Sequence, residues 1–485
     1  MLAINGGKKI GTKSKMSWPV WDGNTQKELL SVLDSGRWAI SGQWKGEKSK
    51  CEKFEEEYAK FNKSEYCLAF DHGSSSIVSA LQALQIGPGD EVIVPALTWV
   101  ACIIGICNVN AIPVVVDVDK DTYCISIDEL KKAITPNTKA IMPVHLYGCM
   151  CDMDEIQKIA KEHHLYVIED ASHSHGSMWR NHYAGTMGDI GCFSFQQGKV
   201  LTCGEGGATL TNSKVLYERL QELRTNSRLY VPQEECSINR MQLFESGKIL
   251  GTNYCLSEFQ AAVLLDQIEK LENQNRKKER NARMLDLELS KIPGVRAMYH
   301  HPQVTKQSYY RYCIRVDNHY FADKPVDRIA KALEAELGFV VEQPYTPLNK
   351  SALYHPETLK SYSWSDEYIE KIKCYKESFP VAEKAASSEG IIFHHSYLMG
   401  NDDDLQCIIS AFKKVQKYAE EFGLGDTSGM EIPESDPQIS DDNSVLSAIG
   451  QGTNNYTTSQ LARYITAVAN KGTVYNLSLI HISEP

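Results

Sequence analysis

The sequence predicts an α/β protein with a large domain on a mostly parallel sheet and a smaller C-terminal α/β domain. Three observations carry this. Over residues 63–229, short apolar runs alternate with stretches of helical periodicity, as in repeated strand–helix units. Over residues 257–291, Ala261, Ala262, Leu264, Leu265, Ile268 and Leu271 form one apolar stripe of a long helix. Beyond it, residues 309–316 read as a strand, and a helix over 402–421 closes the smaller domain.

Each element of the large domain brings a candidate residue. Phe70-Asp71-His72-Gly73-Ser74-Ser75-Ser76 precedes a helical pattern over 77–84. A Gly-Ser turn opening a helix offers free N–H groups, hydroxyls and the positive end of the helix dipole, which suits a phosphate. An ordinary serine cap would use the same residues. Val92-Ile93-Val94 is an apolar strand ending at Pro95, with Trp99 just beyond it. An indole there can stack on a flat ring or simply fill the core. Residues 113–117 and 140–143 read as further strands. Leu165-Tyr166-Val167-Ile168-Glu169-Asp170 reads as a buried parallel strand. Asp170 stands at its carboxyl end, where open α/β sheets place ligands, although a helix cap would also use an aspartate. Cys192-Phe193-Ser194-Phe195-Gln196-Gln197-Gly198-Lys199 is a strand ending in a polar loop with one lysine, and Gly204-Glu205-Gly206-Gly207 follows. A lysine packed in such a place can lose its proton and attack a carbonyl, the Schiff-base chemistry of pyridoxal phosphate. A surface lysine after a strand is the plainer alternative. Asp170 would then keep the cofactor's pyridine nitrogen protonated.

Composition bounds the function. At 485 residues and 42% hydrophobic, the chain can bury a sizeable core. A formal net charge of −11 argues against a nucleic-acid surface. Residues 1–15 lack the apolar core of a secretory signal, and no window is apolar enough to span a membrane. The 14 cysteines are scattered without paired Cys-x-x-Cys spacing, which fits reduced core residues of a cytoplasmic protein. The doublets His163-His164, His300-His301 and His394-His395 lack a second ligand pair, so no metal site is assigned. The basic run 276–283 reads as a solvated helix face.

Further segments follow in order: Ile86-Gly87-Pro88-Gly89-Asp90-Glu91-Val92, Pro143-Val144-His145-Leu146-Tyr147-Gly148, Gly251-Thr252-Asn253-Tyr254, Pro344-Tyr345-Thr346-Pro347-Leu348 and Phe393-His394-His395-Ser396-Tyr397-Leu398. With the motifs above, they closely resemble the DegT/StrS-type pyridoxal-phosphate sugar aminotransferases over about residues 38–412. The resemblance implies the type I fold of pyridoxal-phosphate aminotransferases. It implies that Lys199 binds the cofactor covalently and shuttles the proton, with Asp170 on the pyridine nitrogen and His173 near the phenolic oxygen. Trp99 would stack on the ring, and Gly73, Ser74 and Ser194 would contact the phosphate. Asn253 would reach the phosphate of a neighbouring subunit, so a homodimer is implied.

Two departures stand out. Cys255 follows Asn253-Tyr254 where many members carry arginine, and Gln196-Gln197-Gly198-Lys199 replaces a His-x-x-Lys stretch. These forms resemble the branch that aminates keto-cyclitols such as scyllo-inosose with glutamine as donor. The expected reaction moves an amino group from glutamine or glutamate to a keto-sugar or keto-cyclitol, with ping-pong kinetics. Alternatives are a sugar dehydratase, against which Lys199 counts, or another pyridoxal-phosphate reaction on the same fold, and a non-enzymatic regulatory or cell-wall-binding protein. The expected domains are 1–250, with the N-terminal arm, and 251–421.

The tail changes character. Residues 418–477, with Ile449-Gly450-Gln451-Gly452 before a helix over 460–470, resemble part of a penicillin-binding-protein transpeptidase domain without its catalytic motifs. Ser478-Leu479-Ile480-His481-Ile482-Ser483-Glu484-Pro485 resembles translated sequencing adapter. The expectation is a chimera, with 422–477 and 478–485 foreign to the enzyme.

Overall fold

The computed structural model of the chain describes residues 1–14, 16–358 and 365–419. The large domain is built on β1 (Tyr66–Phe70), β2 (Glu91–Pro95), β3 (Ile112–Val116), β4 (Thr138–Ile141), β5 (Tyr166–Asp170), β6 (Ile190–Ser194) and β7 (Gly207–Thr211). They form one sheet in the order β1-β7-β6-β5-β4-β2-β3. The run β6-β5-β4-β2-β3 is parallel, and β7 is antiparallel to both of its neighbours. The carboxyl ends of β1, β2, β5 and β6 therefore share one edge. The central strands read as apolar runs because helices cover both faces.

Helices α1 (Gly23–Ser35) and α2 (Lys50–Asn62) precede the sheet; α3 (Gly73–Ala83), α4 (Ala101–Asn108), α5 (Ile127–Ala133) and α6 (Met153–His163) connect its strands. Most open on a side-chain cap: Ser49 with Glu52 on α2, Ser126 on α5, Asp152 on α6. Helix α3 has no side-chain cap, so its first N–H groups are left for another partner. It begins at Gly73, not at residue 77, because the Gly-Ser turn is itself the first helical turn. Helix α7 (Lys214–Arg224) follows β7. Its Arg224 pairs with Glu55 of α2, both buried. Glu55 accepts the Ala69 N–H at 2.9 Å and Arg224 donates to the Ala69 carbonyl at 2.7 Å. The pair thus satisfies the outward backbone groups of Ala69 on the edge strand β1.

Helix α8 (Glu258–Leu289) fulfils the predicted long helix and opens on a Ser257/Gln260 capping box. Ala261, Leu264 and Leu271 pack in the large-domain core, and Ala282, Leu285 and Leu289 in that of the small domain. The small domain is the antiparallel sheet of β8 (Val295–Ala297), β9 (Arg311–Val316), β10 (Val341–Glu342) and β11 (Gly390–His394), in the order β8-β9-β11-β10. Helices α9 (Val326–Leu337) and α10 (Asp402–Tyr418) cover it. Leu2 joins this core, and the Ala3 N–H donates to Glu336 at 2.7 Å. Residues 422–485, with the tail expectations, lie outside the described residues.

One expectation is corrected. The basic run on α8 is not uniformly solvated: Arg276, Arg280 and Arg283 are exposed, but Lys278 is 0% exposed. Its turn of α8 faces inward, toward Trp18 and the end of β11. Among the described residues, the Lys278 Nζ has no hydrogen-bond partner, and it lies 4.8 Å from the centre of the Trp18 ring. Burial pushes its ammonium down to about 7.

All 14 cysteines are unpaired thiols. Among the described residues, no helix is long and apolar enough to cross a membrane. Among them, no three His, Cys, Asp or Glu residues come together as a metal site.

Candidate active site

The site forms along the carboxyl edge of the sheet, as open α/β sheets require. Phe70 of β1 lies opposite Gly207 of β7, and Gly207 opposite Ser194 of β6. A Cβ on Gly207 would fall 2.3 Å from the His72 carbonyl oxygen, and one on Gly73 would fall 2.6 Å from the Ser194 Cβ. Bare backbone at both positions lets the start of α3 press against the end of β6. The result is a cleft of about 1000 Å³, lined by Gly73, Ser74, Trp99, Asp170, His173, Ser194 and Lys199. Seven of the eight sequence-predicted residues thus share one cavity.

Asp170 ends β5 and is 6% exposed. Its Oδ1 accepts the Ser172 N–H at 3.0 Å, and its Oδ2 accepts the Cys102 thiol at 3.1 Å. Next to it, Glu169 points to the other side of the strand. It accepts from His145 Nε2 at 3.0 Å and from the Gly185, Met187 and Gly188 N–H groups. That anchored loop fixes the strand carrying Asp170.

Lys199 stands on a tight turn whose N–H donates back to the Gln196 carbonyl at 2.8 Å. Gln196 Oε1 accepts the Gly198 N–H at 2.8 Å. Trp18 Nε1–H donates to the Gln197 carbonyl at 3.1 Å. His394 and His395 both donate from Nε2 to the Gly198 carbonyl, at 3.2 and 3.3 Å. Neutral imidazoles suit that role, and burial pushes His394 down to about 4. Lys199 itself is buried, its Nζ 4.3 Å from the centre of the Tyr310 ring. Burial lowers its ammonium below the ordinary value, against the opposing pull of Tyr310 and Asp170.

His173 stacks on Tyr310 with ring centres 4.1 Å apart, and its Nδ1 accepts the Tyr147 N–H at 3.1 Å. Burial, then the neighbouring Lys199 charge, holds it well below its ordinary value, so it is neutral with its proton on Nε2. Trp99 is 47% exposed at the rim, 5.5 Å from Tyr345. Ser194 Oγ accepts the Gln196 N–H at 3.3 Å. Asn253 is the exception. It is exposed and lies outside its own chain's cleft, where its Oδ1 accepts the Cys255 N–H at 3.4 Å.

Sequence reasoning missed three residues here: Tyr310, Arg311 and Trp18. Tyr310 and Arg311 line the cleft from the start of β9. A charged residue heading an apolar strand was the available signal for Arg311. Trp18, far away in sequence, offered none. Chemically, the cleft combines a desolvated amine able to act as base or nucleophile, a buried carboxylate, and an uncapped helix N-terminus suited to an anion.

Comparison with known proteins agrees with this geometry. The sequence model of the DegT/DnrJ/EryC1/StrS aminotransferase family matches residues 22–412. The chain is 39% identical over 420 residues to the L-glutamine:2-deoxy-scyllo-inosose aminotransferase of Streptoalloteichus tenebrarius, covering 86% of this chain and 98% of the relative. It is 40% identical over 414 residues to the L-glutamine:scyllo-inosose aminotransferase of Streptomyces griseus, covering 85% and 97%. Among solved structures, 3-amino-5-hydroxybenzoic acid synthase superposes with a TM-score of 0.69 at 27% identity, covering 84% of this chain and 99% of that one. DesV of S. venezuelae, solved with a ketimine intermediate, superposes with a TM-score of 0.66 at 29% identity, covering 82% and 94%. The sequence model of the penicillin-binding-protein transpeptidase domain matches residues 362–484, starting earlier than the sequence resemblance did. Within that span, β11 and α10 complete the small domain described above.

Proposed function

Because the chain belongs to the DegT/DnrJ/EryC1/StrS aminotransferase family, we propose that it uses pyridoxal phosphate to move the amino group of L-glutamine onto a keto-cyclitol of the scyllo-inosose kind. One observation carries the reading: a buried lysine and a buried carboxylate share a cleft with an uncapped helix N-terminus, in a chain matching nearly the whole length of such enzymes.

The residues present fit the cofactor. The space above Gly73 is one a Cβ would fill, and the first N–H groups of α3 are uncapped there. These groups, with the Ser74 and Ser194 hydroxyls, would hold the phosphate. Asp170 would hold the proton on the pyridine nitrogen, His173 would face the phenolic oxygen, and Trp99 would cover the ring. When bound, the cofactor supplies an electron sink and carries the amino group between the two substrates. Lys199 Nζ, desolvated and therefore readily neutral, would take up the α-proton of the donor and hold it for return. Burial of the site keeps water from that amine. The keto acid leaves before the keto-cyclitol enters, which gives ping-pong kinetics.

The exposed Asn253 supports a homodimer in which it would reach the partner's phosphate, and the reading takes the reaction to be cytoplasmic. Residues 422–477 and 478–485 are proposed as foreign sequence joined to the enzyme; an uninterrupted native gene across the junction in independent DNA would refute that. The test of function is the visible absorption of the holoenzyme. L-Glutamine alone should bleach the cofactor band, and a keto-cyclitol should restore it; Lys199→Ala should abolish both. Bleaching by glutamate but not glutamine would discard the donor. No band with added pyridoxal phosphate would refute the reading.

A further inference from the structure

The two substrates of this reaction differ in charge: the amino-acid donor carries a carboxylate and the polyhydroxylated ketone does not. A donor's carboxylate sits on the same carbon as its amino group. A cation that recognises it must therefore lie within about one amino acid's length of the Lys199 amine.

Arg311 is so placed. It heads β9, directly after Tyr310, and lines the same cleft as Lys199. The Tyr310 ring spans the gap: Lys199 Nζ lies 4.3 Å from its centre and the Arg311 Cζ 5.1 Å. The Arg311 Nε is buried with no hydrogen-bond partner, and among the described residues its guanidinium makes no ion pair. Such a group stays unsatisfied until a ligand supplies an acceptor. The other bases of the cleft do not compete. Burial favours the neutral Lys199 amine, His173 is neutral, and His72 lies beside Asp71 and Glu205, at 3.5 and 3.8 Å. The planar guanidinium also matches a carboxylate with two parallel hydrogen bonds.

We propose that Arg311 binds the α-carboxylate of the amino-acid donor, a specificity role that rests on the aminotransferase reading above. The Tyr310 ring packs against both the Lys199 amine and the Arg311 guanidinium. Arg311 then serves the amino-acid half-reaction, while the uncharged cyclitol half depends on it far less.

The experiment measures single-turnover half-reactions of the holoenzyme with three amines: L-glutamine, L-glutamine α-amide, in which the carboxylate is masked, and an amino-cyclitol. If wild-type enzyme fails to react with glutamine at all, the glutamine-donor reading fails, independently of Arg311. Given that reaction, wild type should prefer glutamine over its α-amide by about 100-fold, the range of a charge-assisted contact. Arg311→Gln should keep the cofactor band, lose about 100-fold with glutamine and lose the preference over the amide. Arg311→Lys should recover part of it, and the amino-cyclitol half should change by no more than about threefold. Equal loss in both halves, or a preference that survives in Arg311→Gln, would overturn the assignment. If the variants do not fold, wild type decides alone: equal use of glutamine and its α-amide overturns it.

Discussion

Lys278→Met removes a charge that the fold leaves unpaired. Among the described residues, the Lys278 amine is fully buried on α8 without a hydrogen-bond partner, 4.8 Å from the centre of the Trp18 ring. Burial brings its pKa from 10.5 to about 7, whereas the unfolded chain keeps the higher value. Between those values the unfolded chain holds a proton that the folded chain has released. Stability therefore rises with pH from about 7 toward 10.5, and the full penalty applies below about 7. That interval corresponds to about 5 kcal/mol, and stacking on Trp18 returns ~1–2 kcal/mol of it. Methionine keeps the volume and the packing without the charge. We expect Lys278→Met to stabilise the protein by about 3 kcal/mol near pH 6, and by progressively less toward pH 10. Urea denaturation of both proteins across that range measures it. A variant less stable than wild type near pH 6, or a gain that does not shrink as pH rises, would refute the reasoning.

Three further perturbations test other parts of the structure. Gly73→Ala places a Cβ 2.6 Å from the Ser194 Cβ and 3.1 Å from its Cα, so the α3 start or the β6 end must move. Such overpacking costs ~1–3 kcal/mol, and pyridoxal phosphate affinity, read by absorbance titration, should fall about tenfold or more; unchanged affinity would show that the close contact does not matter. Arg224→Met leaves Glu55 buried and unpaired beneath β1, which should cost ~3–5 kcal/mol in denaturation, with only part of it recovered in the double variant with Glu55→Leu, because the Ala69 N–H and carbonyl then lose their partners. A chain ending after residue 419 keeps α10 over the small domain, so its cofactor band and both half-reactions should match the full chain; lost activity would give residues 420–485 a role in the enzyme.

What the sequence made legible is what chain-local chemistry encodes. Asp170 and Lys199 were readable because each follows an apolar strand at its carboxyl end, and Gly73 and Ser74 because they open a helix. The long helix α8 was readable from its stripe. Lys278 was misread because three exposed arginines around it gave the segment a solvated composition, while the face it occupies is set by the docking of two domains. Tyr310 and Arg311 reach the cleft from the small domain, an approach that no local pattern records. Asn253 lies outside its own chain's cleft, on a loop whose place no pattern in the sequence records.

The turn carrying Lys199 is held by carbonyl bonds from Trp18, His394 and His395, which lie 179, 196 and 197 residues away from their acceptors. This has a consequence for the order of events on the ribosome. Synthesis runs from the amino terminus, and the large-domain strands can pair while the second half of the chain is still being made. During that interval the lysine turn has Trp18 and its own short bonds, but no histidines. The last two clamps arrive only with β11, almost at the end of the enzyme portion. The Lys199 turn is thus the last part of the cleft to gain its full set of bonds, and a half-made chain carries that lysine on a turn still short of two of its three long-range clamps.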